Sequence, residues 1–242
     1  MTQTYDIVLA NGRVMDPETN LDAVRNVGIL GGRIASVSSS TLQGRTVLDA
    51  RGLIVTAGFI DLHSHGQNPE NYAFKARDGV TTALEMEVGV NPVAAWYAAR
   101  DGKALINFGA TSGHIPARMA VMHDTGGLLP RDAAANRTAT PDERKQILEL
   151  VRQGLDEGGL GIGMGIAYTP TASRDEILEL FELASQRCTH LCPHPQQRAG
   201  GARGHRCPAG NDFRRSCYRR AAARGSHYQR GLAANADFAS DD

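Results

Sequence analysis

Apolar runs that alternate with amphipathic helices after residue 54 most constrain the fold of this chain. The pattern predicts four strands, at 54–65, 80–88, 105–114 and 159–167. Thr140-Pro-Asp-Glu143 and Ser173-Arg-Asp-Glu176 both match the capping box that begins a helix. Apolar residues then follow at core-facing helical spacing, at Ile147, Leu148, Val151 and Leu155, and at Ile177, Leu178, Phe181 and Leu183. Strands alternating with helices predict an α/β fold, here the first half of a TIM-like (β/α) barrel over 56–187.

The first 55 residues have a different pattern. Short β-rich runs such as Ile7-Val-Leu-Ala10 and Val27-Gly-Ile-Leu30 alternate with turn signals such as Asn11-Gly12. This spacing predicts a small, partial β-sandwich over 1–55, placed before the barrel.

The segment Gly58-Phe-Ile-Asp-Leu-His-Ser-His65 indicates a metal site. The apolar run from Leu53 to Ile60 predicts a buried strand that ends at His65. Alternate residues of a strand share a face, so Asp61, His63 and His65 are expected on one side. Two neutral imidazoles on one face bind a divalent ion, while Asp61 fits a hydrogen-bonding residue at the strand end better than a ligand. The alternative is a histidine pair on the surface.

Two carboxylates follow on the next predicted strand. Glu85 and Glu87 share a face there, and a carboxylate inside a barrel must be neutralised, most simply by a metal. Glu87 is nearer the strand end and is the predicted ligand, with Glu85 as a structural or supporting group. The alternative is that either one faces an outer helix and pairs with an arginine.

Four passages carry a resemblance to a known family: Tyr5 to Asp16, Gly58 to His65, Asp78-Gly-Val-Thr-Thr82 and Gly159 to Tyr168. In this order they resemble the amidohydrolase superfamily, and within it the D-aminoacylase and N-acyl-D-amino-acid deacylase group. The resemblance extends over residues 1 to 187. It implies an enzyme that uses one or two Zn²⁺ ions to hydrolyse the amide of a small N-acyl amino acid. In this family the N-terminal sandwich is completed by strands from the C-terminal end.

The resemblance also suggests two substrate-binding residues. His114 follows Gly113 as in the deacylases, and Tyr168 matches a tyrosine that helps to hold the substrate carboxylate. The alternatives are a hydrogen-bonded core histidine and a tyrosine packed at the barrel rim.

The chain departs from related patterns at two points. D-aminoacylases carry a cysteine near the position of Glu87. Dihydroorotases and hydantoinases typically carry a carboxylated lysine on the fourth strand, but the three lysines here, Lys75, Lys103 and Lys145, lie elsewhere. The deacylase branch is therefore favoured, and a cyclic amidase is the second alternative.

Composition excludes several other classes of function. The formal net charge is zero and 41% of residues are hydrophobic, which fits a soluble globular protein and does not favour nucleic-acid binding. No apolar run approaches the length of a membrane span, and the N-terminus lacks the features of a signal peptide. A cytoplasmic location is expected, and oligomeric state cannot be derived.

Composition breaks sharply after Arg187. Residues 188–242 contain all four cysteines and nine arginines but no valine, isoleucine, methionine, lysine or glutamate. Such a segment cannot build a core, and the cysteine spacing does not complete a zinc knuckle. Read one base later, the codons for Pro193 to Arg198 allow His-Ile-Arg-Ser-Asn, which resembles a metal-histidine strand of the family. We therefore predict a frameshift after Arg187 and an irregular, disordered tail.

The tail hypothesis has a functional consequence. In the family, later strands supply two more histidine ligands and the aspartate that transfers the proton, and none has an in-frame counterpart here. No catalytic residue is therefore expected to be retained. The alternative to an active deacylase is a non-catalytic fragment of such an enzyme.

Overall fold

The computed structural model describes residues 3–187 and 189–193. It divides into two compact units with the boundary between Gly58 and Phe59. Most predictions for the tail, including its disorder, fall outside the described residues.

The first unit contains one mixed sheet in its described part. Its strands are β1 (Thr4–Asp16), β2 (Leu21–Leu30), β3 (Arg33–Ser38), β4 (Gln43–Asp49) and β5 (Ile54–Thr56). The order is β3-β2-β1-β4, and β5 pairs with the end of β1. Strands β1 to β3 pair antiparallel, whereas β4 and β5 run parallel to β1. A second sheet layer is not among the described residues, so the sandwich stays a prediction.

The second unit contains a curled, parallel half-barrel. Its elements are β6 (Phe59–Asp61), α1 (Pro69–Arg77), β7 (Val80–Val90), α2 (Val93–Ala98), β8 (Asn107–Gly113), α3 (His114–Val121), α4 (Ala133–Asn136), α5 (Pro141–Asp156), β9 (Gly161–Met164), α6 (Arg174–Gln186) and β10 (His190–Pro193). The sheet order is β6-β7-β8-β9-β10, and every neighbouring pair is parallel. The prediction of an α/β half-barrel is confirmed.

The core of this unit lies between the sheet and helices α3, α5 and α6. Its fully buried apolar side chains include Ile115, Ile147, Val151, Ile162 and Met164. Among the described residues, no helix is both long and apolar enough to cross a lipid bilayer.

The two helices begin where the sequence predicts, but not every residue predicted to face the core is buried. Helix α5 begins with the predicted capping box of Thr140 and Glu143. Ser173 also caps α6, but its partner Glu176 does not return the bond, because its side chain is buried in an ion pair. Leu178 and Phe181 were predicted to face the core and are exposed, because Glu176, Leu180 and Leu183 set the buried face.

The prediction of one buried strand from Leu53 to His65 is wrong. The segment is divided, since Ile54–Thr56 pairs with β1 in the first unit and Phe59–Asp61 pairs with β7 in the second. Phe59 and Ile60 are 61% and 54% exposed. The apolar run therefore predicted β-strands correctly but did not predict that they are buried.

The composition break does not coincide with the end of the sheet. His190–Pro193 lies beyond Arg187 but pairs in parallel with β9. Strand pairing uses backbone groups, so an open sheet edge accepts an extended segment of almost any composition.

Candidate metal centre

The register of β6 and β7 brings the predicted ligands together. Asp61 pairs with Ala83, and the Ser64 N–H donates to the Leu84 carbonyl at 3.0 Å. His63 forms an isolated bridge with Glu85. The histidine segment therefore runs alongside the glutamate segment just beyond the end of β6.

Three side chains converge in this cluster. His63 Nε2 lies 2.7 Å from Glu87 Oε2, and His65 Nε2 lies 3.2 Å from the same oxygen. The two imidazole rings are 4.7 Å apart and nearly perpendicular. Ligand atoms of His63, His65 and Glu87 all lie within 4.8 Å of one another, which is the group expected from the sequence.

Glu85 contacts the cluster from the other side of His65. Its Oε2 lies 2.6 Å from His65 Nδ1, and its Oε1 accepts the Val88 N–H at 3.2 Å. Glu85 and Glu87 are both buried, whereas the side chains of His63 and His65 are 47% and 33% exposed. The cluster is thus built on buried carboxylates and opens to solvent on its histidine side.

The loop after His65 is held by a buried glutamine. Gln67 donates to the Ser64 carbonyl at 3.1 Å and accepts the Tyr72 hydroxyl at 2.9 Å. The backbone carbonyl of Gln67 accepts a hydrogen bond from Arg100 Nε at 3.0 Å. Sequence reasoning missed Gln67, because nothing in its local pattern marks a polar residue that will be buried.

Asp61 lies at the strand end in the hydrogen-bonding role expected from the sequence. Its carboxylate accepts Lys75 Nζ at 2.6 Å and the His63 N–H at 3.1 Å. Burial alone would raise the pKa of Asp61, but these donors outweigh it and the pKa is lowered.

Close packing of β9 against β7 fixes the backbone beneath the carboxylates. A Cβ on Gly163 would lie 2.9 Å from the Glu87 carbonyl oxygen and would clash with the Thr111 side chain. Thr111 in turn donates to the carbonyls of Glu85 and Met86, each at 3.2 Å. The glycine-rich fourth strand therefore allows a close approach to the site.

The structure brings together His63, His65 and Glu87 but gives His114 a different setting. His114 begins helix α3, is fully buried, and places Nε2 2.8 Å from Glu176 Oε1. Arg118 pairs with the same carboxylate and also donates to the carbonyls of Ala134 and Arg137. Burial would raise the pKa of Glu176, but the bonds from His114 and Arg118 lower it.

This setting favours the alternative of a hydrogen-bonded core histidine for His114, and a substrate role stays a prediction. The triad His114, Arg118 and Glu176 was missed by sequence reasoning. A signal was present, because Arg118 interrupts the apolar sequence that follows His114 in α3.

Tyr168 lies at the end of a short 3₁₀ turn, Ile166–Tyr168, after β9. It is half buried and packs against the core. This placement fits the alternative of packing at the barrel rim, and its role towards substrate also stays a prediction.

The donor set of the cluster fits zinc. Two imidazole nitrogens and one carboxylate oxygen are ordinary zinc ligands, with bonds of about 2.0–2.2 Å. Ligand atoms in a tetrahedral shell of that size are about 3.3 Å apart, and the two nitrogen–oxygen distances to Glu87 Oε2 are 2.7 and 3.2 Å. The donor types and the two distances to Glu87 Oε2 therefore suit a zinc ion, and all three ligand atoms lie within 4.8 Å of one another.

Comparison with known proteins places the chain. Residues 46–190 match the model of the Amidohydrolase family, which is more than half of the sequence. The chain belongs to this family. Both histidines and both glutamates of the cluster lie inside the matched range.

Individual amidohydrolases show how much of the chain the similarity covers. The chain is 29% identical to a D-aminoacylase of Alcaligenes xylosoxydans xylosoxydans over 215 residues, or 74% of this chain and 42% of that protein. Its fold is similar to a crystal structure of N-acyl-D-glutamate deacylase from Bordetella bronchiseptica with zinc and a phosphonate inhibitor, with a TM-score of 0.62 and 25% identity over 77% of this chain and 44% of that one.

Similarity to a dihydroorotase of Solibacter usitatus (strain Ellin6076) is higher but shorter, at 48% over 64 residues, or 26% of this chain and 15% of that protein. The chain spans about two fifths of the length of the deacylase relatives it matches.

Proposed function

We propose that this chain carries the zinc-binding half of an amidohydrolase that removes the acyl group from N-acyl-D-amino acids. The observation that carries the proposal is the convergence of His63, His65 and Glu87 within 4.8 Å at the end of a parallel strand. Reactive groups of β/α barrels lie at this end of the strands. The similarity to D-aminoacylase over 74% of the chain supports the substrate class.

His63, His65 and Glu87 would hold the metal, and Glu85 would contact His65 from behind. When bound, zinc supplies Lewis acidity that polarises an amide carbonyl and lowers the pKa of a coordinated water. Glu87 is buried and would hold its ligand oxygen in a fixed place. The side chains of His63 and His65 are partly exposed and would leave the metal open to a substrate.

The cyclic amidase alternative is less well supported. The similarity to dihydroorotase covers only 26% of the chain. The lysines do not lie on a barrel strand, since Lys75 and Lys145 are on helices α1 and α5 and Lys103 is in a turn. A carboxylated lysine of the cyclic-amidase type therefore has no candidate on β9.

The proposal predicts activity in a frame-restored protein and not in the chain as written. The coding sequence read one base forward after Arg187 should give a zinc enzyme that hydrolyses N-acetyl-D-amino acids faster than their L-isomers. The 242-residue chain with added zinc should show no turnover above a His63→Ala control, because the family's proton-transferring aspartate has no counterpart in it.

Two results would contradict the proposal. Stop codons in the shifted frame would remove the frameshift hypothesis. A frame-restored, zinc-loaded protein that hydrolysed dihydroorotate and left N-acyl amino acids intact would replace the deacylase with the cyclic amidase.

A further inference from the structure

The contacts of Glu85 indicate a role different from that of the three residues that would bind metal. Its carboxylate has two neighbours on opposite sides, the Val88 N–H at Oε1 and His65 Nδ1 at Oε2. The backbone N–H is a fixed donor, so Oε1 must accept. The oxygen that faces His65 is an acceptor as well when the group is ionised.

An ionised carboxylate on Nδ1 determines which nitrogen of His65 carries the proton. A neutral imidazole has one N–H and one lone pair. Both ring nitrogens of His65 lie near a carboxylate oxygen, and the contact at Nδ1 is the shorter one, at 2.6 Å against 3.2 Å. The shorter contact assigns the N–H to Nδ1 and leaves the lone pair on Nε2. Nε2 is the nitrogen that lies 3.2 Å from Glu87 and faces the proposed metal position.

We infer that Glu85 is a positioning residue that holds His65 in the Nδ1–H tautomer and so presents Nε2 to the metal. The inference rests on the proposed metal function and adds a role for a residue outside the ligand group. Carboxylates that accept the second N–H of a metal-bound histidine fix its ring and raise its basicity.

A glutamine at position 85 cannot reproduce this arrangement, because the Val88 N–H and the His65 Nδ1–H each need an acceptor and the amide has only one acceptor atom. If the amide oxygen accepts the Val88 N–H, the amide NH₂ faces His65 Nδ1 and requires the other tautomer. If the amide oxygen instead faces His65, two donors meet at Val88. Glu85→Gln therefore changes the hydrogen-bond pattern with almost no change in side-chain size.

The experiment is ¹⁵N NMR of histidine-labelled protein combined with zinc titration. In zinc-loaded wild type, His65 should show zinc at Nε2 and a proton on Nδ1, with the signal assigned by its loss in His65→Asn. Glu85→Gln should weaken zinc binding about 10- to 100-fold and shift the metal-free ring at alkaline pH towards the Nε2–H tautomer.

Asp61→Asn is the matched control, since it removes a neighbouring carboxylate that contacts Lys75 and the His63 N–H. It should leave the His65 tautomer unchanged. A tautomer shift equal to that of Glu85→Gln would show an effect of lost charge alone and would overturn the inference.

The remaining outcomes also decide the question. Coordination through Nδ1, or unchanged zinc affinity in Glu85→Gln, overturns the positioning role while the metal site stands. If wild type binds no zinc, the proposed metal function fails, and the metal-free spectrum then decides the tautomer by itself. If Glu85→Gln does not fold, the wild-type spectra decide, since they do not depend on that variant.

Discussion

Two clusters of histidine and carboxylate lie after strands of the same half-barrel, and they differ in how charge is balanced. In the buried triad, the guanidinium of Arg118 pairs with Glu176, and His114 completes the set. In the candidate metal centre, the contacts of Glu85 and Glu87 include two imidazoles. Two carboxylates with two neutral imidazoles carry a formal charge of about −2.

This difference indicates why one cluster suits structure and the other suits a metal. The triad carries its own cation and is closed to solvent, with each of its three side chains almost fully buried. The metal centre has buried carboxylates but exposed histidines, so an ion can enter and offset the charge.

The largest effect is expected at the metal ligands. His63→Ala with His65→Ala should reduce bound zinc from about one ion per chain to almost none, because one remaining carboxylate does not complete a shell. Zinc content after gel filtration measures this. His123→Asn is the control, since His123 is exposed and asparagine tolerates its positive φ of 54°. Equal zinc in the double variant and wild type would refute the site.

The next effect is expected in the triad and should concern stability rather than metal. Arg118→Met leaves Glu176 buried without its cation and should lower the free energy of unfolding by about 3–5 kcal/mol. Urea denaturation measures the loss. Arg152→Met, which removes exposed pairs with Glu149 and Asp156, should cost only about 0–1 kcal/mol. A loss in Arg118→Met as small as in this control would contradict the proposed importance of the buried charge pair.

An intermediate effect is expected at Gly163, where β9 packs against the backbone of Glu87. Gly163→Ala should lower the free energy of unfolding by about 1–3 kcal/mol through overpacking, and zinc affinity should fall because Glu87 is displaced. Gly127→Ala is the control, since a Cβ there meets nothing within 4 Å. If Gly163→Ala is destabilised but binds zinc as tightly as wild type, the packing of β9 does not determine the position of Glu87 at the metal site.

The smallest effect is expected at Glu143, a partly exposed carboxylate that serves as a reference for both clusters. Hydrogen bonds from Arg137 and the Thr140 backbone lower its pKa from 4.5 to about 2. The ionised group therefore stabilises the fold above pH 4.5, and this contribution is lost as the pH falls towards 2.

Glu143→Gln should flatten the dependence of stability on pH between about 4.5 and 2. Its cost near neutral pH should be about 1 kcal/mol or less, because Arg137 is half exposed and solvent screens the pair. Thermal melts across this pH range measure both quantities, with the exposed Glu182→Gln as control. A pH profile identical to wild type would show that the ionised Glu143 does not stabilise the fold.

The sequence by itself determined the elements whose signals are local. Strand β7, helix α5 with its capping box, and the half-barrel class all follow from hydrophobic period and cap residues within a short window. The grouping of His63, His65 and Glu87 was also accessible, because parallel strands place their carboxyl ends at one edge.

Only the tertiary structure decided the features that depend on distant partners. The apolar run before His63 was divided between two units because β1 and β7 each accept part of it as a neighbouring strand. Glu176 left its capping box because Arg118 and His114, about sixty residues earlier, offer it a buried ion pair. Backbone pairing and buried charge are satisfied by residues far apart in sequence, and no local pattern records which partner will be near.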